Sequence, residues 1–336
     1  MPTVKPNDVQ PAAKLIVPPD EPGRALLEFV SAYLVNESKV SLRRLIASGR
    51  VRVNGAAAGT GRIVLSGDEV SLPPGLVLSA PPAQEMSVQV LYEDADHLCV
   101  NKPAGVPVLP GRTGQGAGFY RSLVALLNRS APPGGPFARP HMVHRLDRDT
   151  SGVLLVAKTL EAGRALSRQF ERRQVRKEYI GLIEGVLPRP ALTLDIPLGR
   201  APGSALKMQP DERSGKPART EVAVRERFAH FCLLEIRPVT GRQHQIRVHL
   251  SAIGYPLAVD HLYGRRDELT GADLNAIVGR NAARAGERLL WRVPLHAAAL
   301  WYRHPRTGEP MSHRAPLPGD LESFLDLLRR ADAAVC

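Results

Sequence analysis

The densest group of polar side chains in the chain lies in MVHRLDRDTSGVLLVAK, residues 142–158. Asp147 stands between Arg145 and Arg148, and an apolar run typical of a buried strand follows directly. Because nearby cations favour the charged form of a carboxyl group, we expect Asp147 to be ionised and able to act as a nucleophile or a base. The same residues also fit an ordinary turn with a solvated ion pair, and local chemistry alone leaves both interpretations open.

Two further candidates share one strand face in VRKEYIGLIEGV, residues 175–186. The two-residue period of a β-strand puts Lys177 and Tyr179 on the same side. A cation beside an aromatic ring can hold a nucleobase. The alternative is a half-buried tyrosine with its hydroxyl at the rim, and propensity alone favours that alternative.

A third segment, residues 239–256, has one apolar stripe at helical spacing and predicts a helix over 243–253 that ends at a glycine. Arg247 and His244 lie on another face of this helix, from which they could bring a cation to a carboxylate or a phosphate. Metal binding by His244 and His249 is disfavoured because no third ligand follows at a recognisable spacing.

Near the N-terminus, RRLIASGRVRVN contains four arginines and no acidic residue: Arg43, Arg44, Arg50 and Arg52. Such a patch could contact several phosphates of a nucleic acid. Strand residues that simply point to solvent are the alternative, but the absence of any compensating carboxylate favours RNA.

The overall composition agrees with a folded protein that meets a polyanion. The chain has 336 residues, 43% of them hydrophobic and 23% charged, which argues against a disordered chain and is long enough for one large domain and a small one. Basic residues number 45 and acidic residues 33, which gives a net charge of +12. A positive field of this kind suits nucleic acid, although charge alone does not establish it.

Cysteine usage and hydropathy indicate the compartment. Cys99, Cys232 and Cys336 stand far apart without a Cys-x-x-Cys pair, so neither a disulfide framework nor a zinc site is expected. The first residues carry no apolar core, and the longest apolar run, GVLLVA, is short. We therefore expect a cytoplasmic protein without a membrane span.

The elements that must position these residues predict two domains. We expect a flexible extension over 1–19, a small α/β RNA-binding domain over 20–74, a proline-rich linker over 75–84 and a catalytic domain over 85–330. Strands in the last range outnumber helices and do not alternate with them. This pattern favours an α+β fold with a mixed, mainly antiparallel sheet over a doubly wound one.

Four segments together resemble the RluA family of RNA pseudouridine synthases. HRLDRDTSGVLL at 144–155 resembles the HRLD-x-x-TSG-LLL motif of the family, and KEY at 177–179 resembles its Lys-x-Tyr strand. GRQHQIRVHL at 241–250 is similar to its third motif, and LHAAALWYRHPRTGEP at 295–310 to its closing segment. The order and spacing of these motifs cover residues 85–318.

Residues 24–72 resemble the S-four-type RNA-binding domain that often precedes this catalytic domain. Three positions depart from the family pattern: Gln243 replaces a threonine, Gly181 an alanine, and His261 a proline in DHLYG. None of them removes a catalytic residue, so they bear on RNA contacts more than on activity.

The resemblance implies a role for each candidate. Asp147 would be the catalytic carboxylate, Arg247 its ion-pair partner, and Tyr179 the ring that stacks on the target uracil. Arg145 would take the place of the flipped base. The other candidate RNA contacts of this domain are His144, Lys177, Arg242 and His244. A carboxylate, a cation and an aromatic shelf suffice for the isomerisation, so no metal or redox cofactor is expected.

The expected activity is therefore uridine isomerisation in structured RNA. Large-subunit ribosomal RNA is the preferred substrate because synthases with this N-terminal domain often resemble ribosomal ones, and transfer RNA is the alternative. A different class of function, a non-catalytic RNA clamp in ribosome assembly, is disfavoured by the complete set of Asp147, Tyr179 and Arg247. We expect the protein to act as a monomer.

Overall fold

The computed structural model describes residues 13–17, 23–34, 37–76, 86–109, 118–130, 138–204 and 206–333. The chain divides into two compact units. The first unit comprises Met1–Met86 and Arg121–Pro140, and the second comprises Ser87–Tyr120 and His141–Cys336. Most of the expected extension and nearly all of the expected linker lie outside the described residues.

The first unit packs two helices against short strands around one apolar core. Its elements are β1 Lys14–Ile16, β2 Arg24–Ala25, α1 Leu26–Tyr33, α2 Lys39–Ala47, β3 Arg52–Val53, β4 Ala56–Ala57, β5 Ile63–Val64 and β6 Glu69–Ser71. Helix α2 begins after Ser38, whose side chain accepts a hydrogen bond from the backbone of Ser41. The β3–β4 hairpin turns at Asn54-Gly55, as an Asn-Gly pair between strand residues predicts.

Two features of the first unit differ from the sequence-based boundaries. Lys14–Ile16, expected to be part of a loose extension, form a strand that pairs antiparallel with β6. Leu15 supplies the reason, because its side chain is buried in the core of this unit. Residues 121–140, expected in the catalytic domain, belong to the first unit. There the Arg139 guanidinium donates to the carbonyls of Ser31 (2.6 Å) and Glu37 (3.1 Å).

The second unit is built on a ten-stranded sheet. Its elements are β7 Gln89–Glu93, β8 His97–Lys102, α3 Gly118–Leu127 (shared with the first unit), β9 His141–Met142, β10 Ser151–Ala157, α4 Leu160–Glu171, β11 Arg176–Glu184, β12 Ala191–Asp195, β13 Leu198–Arg200, β14 Met208–Pro210, β15 Arg219–Arg227, β16 Phe231–Pro238, α5 Gln245–Ala252, β17 Leu269–Thr270, α6 Gly271–Val278, β18 Arg288–Leu290, β19 Leu295–Arg303, β20 Pro310–Arg314 and α7 Gly319–Ala333.

The large sheet is mixed, which confirms the predicted α+β class. Its main strand order is β12-β15-β16-β11-β19-β10-β8-β7, with β20 beside β19 and β9 beside β10. The pairing of β10 with β19 is parallel, and the other pairs of this sheet are antiparallel. All seven residues of β10 are buried, as its continuous apolar run predicts. No helix in the described ranges is both long and apolar enough to span a membrane.

Three histidines of the second unit are held neutral by the fold. Burial lowers the pKa of His144 to about 3 and the pKa values of His97 and His296 to about 4. The unfolded chain binds these protons below about pH 6.5, whereas the native state does not. We therefore expect the free energy of unfolding to fall as the pH drops from about 6.5 towards 4, by up to about 2 kcal/mol for each histidine at pH 5.

Urea unfolding at pH 7.5 and at pH 5 measures this loss. His144→Gln is the matched variant, because a glutamine oxygen can accept the Leu155 N–H that the imidazole accepts at 2.9 Å. Its stability should depend less steeply on pH than that of the wild type. Equal unfolding free energies at the two pH values in the wild type would contradict the argument.

Candidate active site

Asp147 lies in the loop that joins β9 to β10, and buried contacts hold this loop from both sides. The neighbouring Leu146 side chain is buried, and the Thr150 N–H donates to the Asp147 carbonyl at 3.2 Å. Lys102, at the end of β8, is fully buried and donates to the Arg148 carbonyl at 3.0 Å. The backbone on both sides of Asp147 is thus fixed while its side chain remains partly open to solvent.

A cavity of about 500 Å³ opens in front of this loop. The loop, β11 and the segment before α5 supply its walls. The cavity brings together all eight candidates that the sequence identified in the catalytic domain: His144, Arg145, Asp147, Lys177, Tyr179, Arg242, His244 and Arg247. Three segments separated by some 30 to 60 residues in sequence therefore form one site, as the hypothesis of a common function requires.

Nitrogen atoms of two side chains face the two oxygens of the Asp147 carboxylate. The Arg247 Nη1 lies 3.7 Å from Oδ2, and the His244 Nε2 lies 4.0 Å from Oδ1. Both distances exceed a normal hydrogen bond. The carboxylate is therefore surrounded by positive and polar groups without being tightly bound by either, which leaves it able to interact with a substrate.

The guanidinium of Arg247 is itself held by a second carboxylate, which sequence reasoning missed. Its Nε and Nη2 donate to the two oxygens of Asp260, both at 2.7 Å. The Asp260 carboxylate also accepts the backbone N–H groups of Leu262 and Tyr263. Arg247 and Asp260 are both buried, so this bidentate ion pair fixes the guanidinium and turns only its Nη1 towards Asp147.

Lys177 and Tyr179 both face the cavity, as the strand period predicts. The Lys177 ammonium donates to the Thr240 carbonyl at 3.0 Å, and burial lowers its pKa to about 8. Burial raises the pKa of Tyr179, with the nearby Asp147 adding to the effect. The phenol is therefore a neutral ring near the carboxylate.

The remaining candidates differ in their accessibility. His144 accepts the Leu155 N–H at Nε2 and stacks on the Phe170 ring, with 4.7 Å between ring centroids. Its Nε2 is thus occupied by the protein itself. Arg145 is exposed at the cavity, and Arg242 donates to the Pro217 carbonyl at 3.2 Å.

Within the described residues, one group of three side chains outside this cavity has the spacing of metal ligands: Asp94, His97 and His304. The Asp94 carboxylate already accepts four hydrogen bonds. They come from the backbone of Asp96 and His97 (both 2.8 Å), the Tyr92 hydroxyl (2.9 Å) and His304 Nε2 (2.9 Å). These bonds use the lone pairs that a metal would need, so the group is a hydrogen-bond network that joins the β7–β8 turn to the end of β19.

Known proteins resemble this chain in sequence and fold. The sequence pattern of the RNA pseudouridylate synthase family matches residues 96–252. Ribosomal large subunit pseudouridine synthase C of Salmonella typhimurium is 36% identical over 333 residues, which cover 96% of this chain and 98% of that protein. Ribosomal large subunit pseudouridine synthase D of Nitrosomonas europaea is 36% identical over 318 residues, which cover 94% and 88%.

A solved structure agrees with these sequences. Human RNA pseudouridylate synthase domain containing 4 has 26% identity and a TM-score of 0.57, and the match covers 72% of this chain and 93% of the human one. The identity of 36% extends over nearly the full length of both chains in the Salmonella comparison. The chain therefore belongs to the RluA family of RNA pseudouridine synthases and is an isomerase that converts uridine in RNA to pseudouridine.

Proposed function

We propose that this chain isomerises uridines of large-subunit ribosomal RNA, with Asp147 as its catalytic carboxylate. The observation that carries the proposal is the position of Asp147 at the cavity, where Arg247 and His244 face its two oxygens without bonding them. The ribosomal substrate is supported by the names of relatives that share 36% identity over nearly the full chain.

The isomerisation changes the connectivity of uridine but not its composition. The bond from N1 of uracil to the ribose breaks, the base rotates, and a bond forms from carbon 5 to the same ribose carbon. The proton on carbon 5 is lost, and N1 gains one. These steps need a charged group beside the ribose and a surface that retains the free base. Asp147 supplies the first, and the Tyr179 ring supplies the second as a stacking partner.

The target uridine must leave its base stack before it can enter the cavity. Extrusion costs a few kcal/mol, and a side chain that fills the vacated space reduces this cost. Arg145 is suited to this role because it is exposed at the cavity next to the fixed loop. Lys177 and Arg242 line the same cavity and provide positive charge for the phosphates next to the flipped nucleotide.

Release of tritium from uracil labelled at carbon 5 tests the substrate. We expect release from an unmodified large-subunit ribosomal RNA transcript and none from a transfer RNA pool. Release from transfer RNA alone would overturn the ribosomal assignment but keep the reaction. Tight binding without release from either RNA would favour a non-catalytic clamp.

We also infer that the first unit is an RNA-binding domain of the S-four type. The four arginines of its basic segment, Arg43, Arg44, Arg50 and Arg52, are exposed on α2, the turn after it and β3. Replacing Arg50 and Arg52 together with glutamine should weaken RNA binding and reduce the slope of log affinity against log salt by about 2, one for each lost phosphate contact.

Filter binding at salt concentrations from about 50 to about 200 mM would measure that slope, because phosphate contacts dominate the salt dependence of affinity in this range. Arg288→Gln is the matched control, because this exposed arginine already pairs with Glu268 at 2.7 Å. An unchanged slope in the Arg50/Arg52 variant would show that this surface does not contact RNA phosphates.

We further propose that the enzyme acts as a cytoplasmic monomer. The compartment is supported by Cys99 and Cys232, which are buried free thiols and suit a reducing environment. Sedimentation equilibrium of the full chain tests the monomer. A mass near 73 kDa, about twice the 36.5 kDa of one chain, would contradict it.

A further inference from the structure

A chain of polar contacts reaches Asp147 from a hairpin outside the catalytic loop. The Met208 N–H, in β14, donates to the Tyr263 hydroxyl oxygen at 2.8 Å. The same hydroxyl lies 2.8 Å from His244 Nδ1, and His244 Nε2 lies 4.0 Å from Asp147 Oδ1. Tyr263 and His244 thus connect the backbone of the β13–β14 strand pair to one oxygen of the proposed catalytic carboxylate.

The donors and acceptors in this series of polar contacts determine which nitrogen of His244 carries the proton. The Tyr263 oxygen accepts from Met208, and within the described residues His244 Nδ1 is the one acceptor placed for the hydroxyl proton. Nδ1 therefore accepts, and the neutral ring carries its proton on Nε2. Burial lowers the pKa of His244, which favours this neutral form.

The Asp147 carboxylate, at the other end of this series of contacts, requires the same tautomer of His244. A proton on Nε2 points a donor at Asp147 Oδ1, whereas the opposite tautomer would present a lone pair to a negative oxygen. His244 also has a left-handed backbone, with φ of +54°, directly before α5. Residues other than glycine rarely adopt this conformation, and it persists where surrounding contacts enforce it.

Tyr263 contacts the second partner of Asp147 as well. Its ring centroid lies 5.1 Å from the Arg247 guanidinium carbon, within the range of a cation–π contact. The edge of this guanidinium that faces away from Asp147 is bound by Asp260. One tyrosine therefore orients both groups that face the carboxylate, His244 through its hydroxyl and Arg247 through its ring.

We propose that Tyr263 and His244 are positioning residues for Asp147, a role that rests on the proposed catalytic function of that carboxylate. Tyr263 fixes the Nε2–H tautomer of His244, and His244 then donates to Oδ1 while Arg247 faces Oδ2. The two distances of 4.0 and 3.7 Å shorten to hydrogen bonds when RNA fills the cavity. His244 is thereby assigned to the orientation of the carboxylate and not to an RNA contact.

Two substitutions at His244 separate this role from a structural one. The amide nitrogen of glutamine reaches the position of Nε2, whereas that of asparagine reaches only the position of Nδ1. We expect His244→Gln to keep the single-turnover rate constant within about fivefold of the wild type and His244→Asn to lower it about 100-fold, as for loss of an oriented donor. Both should bind the RNA transcript within about twofold of the wild type.

Tyr263→Phe provides the second test, because it removes the hydroxyl and keeps the ring over Arg247. The nitrogen-15 shifts of labelled histidine should report one tautomer of His244 in the wild type and a mixture in this variant. The rate constant should fall about tenfold without a change in RNA affinity. Tyr302→Phe is the matched control, since it also removes a hydroxyl bound to a histidine, His97 at 2.6 Å, but outside the cavity.

The outcomes distinguish the inference from the proposed function. Equal rate constants for His244→Gln and His244→Asn, or an unchanged tautomer in Tyr263→Phe, would overturn the positioning role. Weaker RNA binding by the His244 variants, with a normal rate constant at saturating RNA, would show that His244 contacts RNA. If Asp147→Asn retains full activity, the proposed function itself fails. The NMR and Tyr263→Phe measurements remain decisive even where His244→Asn does not fold.

Discussion

Asp147→Asn should abolish pseudouridine formation while leaving RNA affinity within a few-fold of the wild type. The substitution keeps the shape of the side chain but removes the charge that Arg247 and His244 face at 3.7 and 4.0 Å. Loss of a group that acts directly on the reacting atoms costs at least about 1,000-fold in rate. Binding should persist because the arginines and Lys177 that we propose as phosphate contacts are untouched.

The matched control is Asp149→Asn, two residues further along the same loop. Asp149 pairs with Arg148 at 3.2 Å and does not line the cavity. Its replacement removes the same charge from the same loop, so we expect activity within a few-fold of the wild type. Tritium release under single-turnover conditions measures both variants. Comparable losses in the two would mean that the loop needs negative charge in general and not a carboxylate at 147.

Short sequence segments supply the eight candidates that the cavity brings together. HRLDRDTSG lies mostly in the loop between β9 and β10, where no period sets side-chain directions and the motif alone marks the polar residues. In KEY, the two-residue period of β11 sets these directions. Lys177 and Tyr179 face the cavity for this reason. The expected helix over 243–253 is found as α5, Gln245–Ala252, but His244 precedes it with a left-handed backbone and does not lie on a helix face.

Residues that act through tertiary contact escape such reasoning. Asp260 stands 13 positions after Arg247, beyond the end of α5, and no helical or strand period relates the two. Tyr263 reaches His244 because the chain after α5 turns back over the start of that helix. The DHLYG segment contains both Asp260 and Tyr263 and was the one sequence signal available, but it does not indicate which side chains they contact.

Domain boundaries were harder still, because they depend on contacts between distant segments. Residues 121–140 follow strands of the catalytic unit in sequence but belong to the first unit. Arg139 explains part of this assignment by donating to carbonyls at the end of α1 and after it, more than 100 positions away. Nothing in the local pattern around Arg139 indicates such a partner. The carbonyls that accept these hydrogen bonds belong to the backbone, which every residue carries, so the accepting segment has no distinguishing sequence feature.

One glycine explains how the loop that carries Asp147 enters the sheet. Gly152 is the second residue of β10, and it pairs with Ala297 of the parallel strand β19 and with Lys102 of β8. Its φ of +115° is a conformation that other residues rarely adopt. A Cβ atom at this position would lie 2.2 Å from the Ala297 carbonyl oxygen. Because that oxygen belongs to the backbone of a central strand, it cannot move aside at low cost.

Gly152→Ala should therefore destabilise the protein by about 3 kcal/mol or more, through combined backbone strain and steric overlap. The matched control is Gly286→Ala, where φ is ordinary and no atom lies within 4 Å of the added Cβ, so its stability should stay within about 0.5 kcal/mol of the wild type. Urea unfolding of both variants measures the difference. Any folded Gly152→Ala protein should also lose activity, by about 100-fold for a displacement of about 1 Å, since Asp147 lies five residues before this point. A Gly152→Ala protein as stable and as active as the Gly286→Ala control would show that β10 and β19 can separate freely, and that the close approach of the two strands does not position the carboxylate.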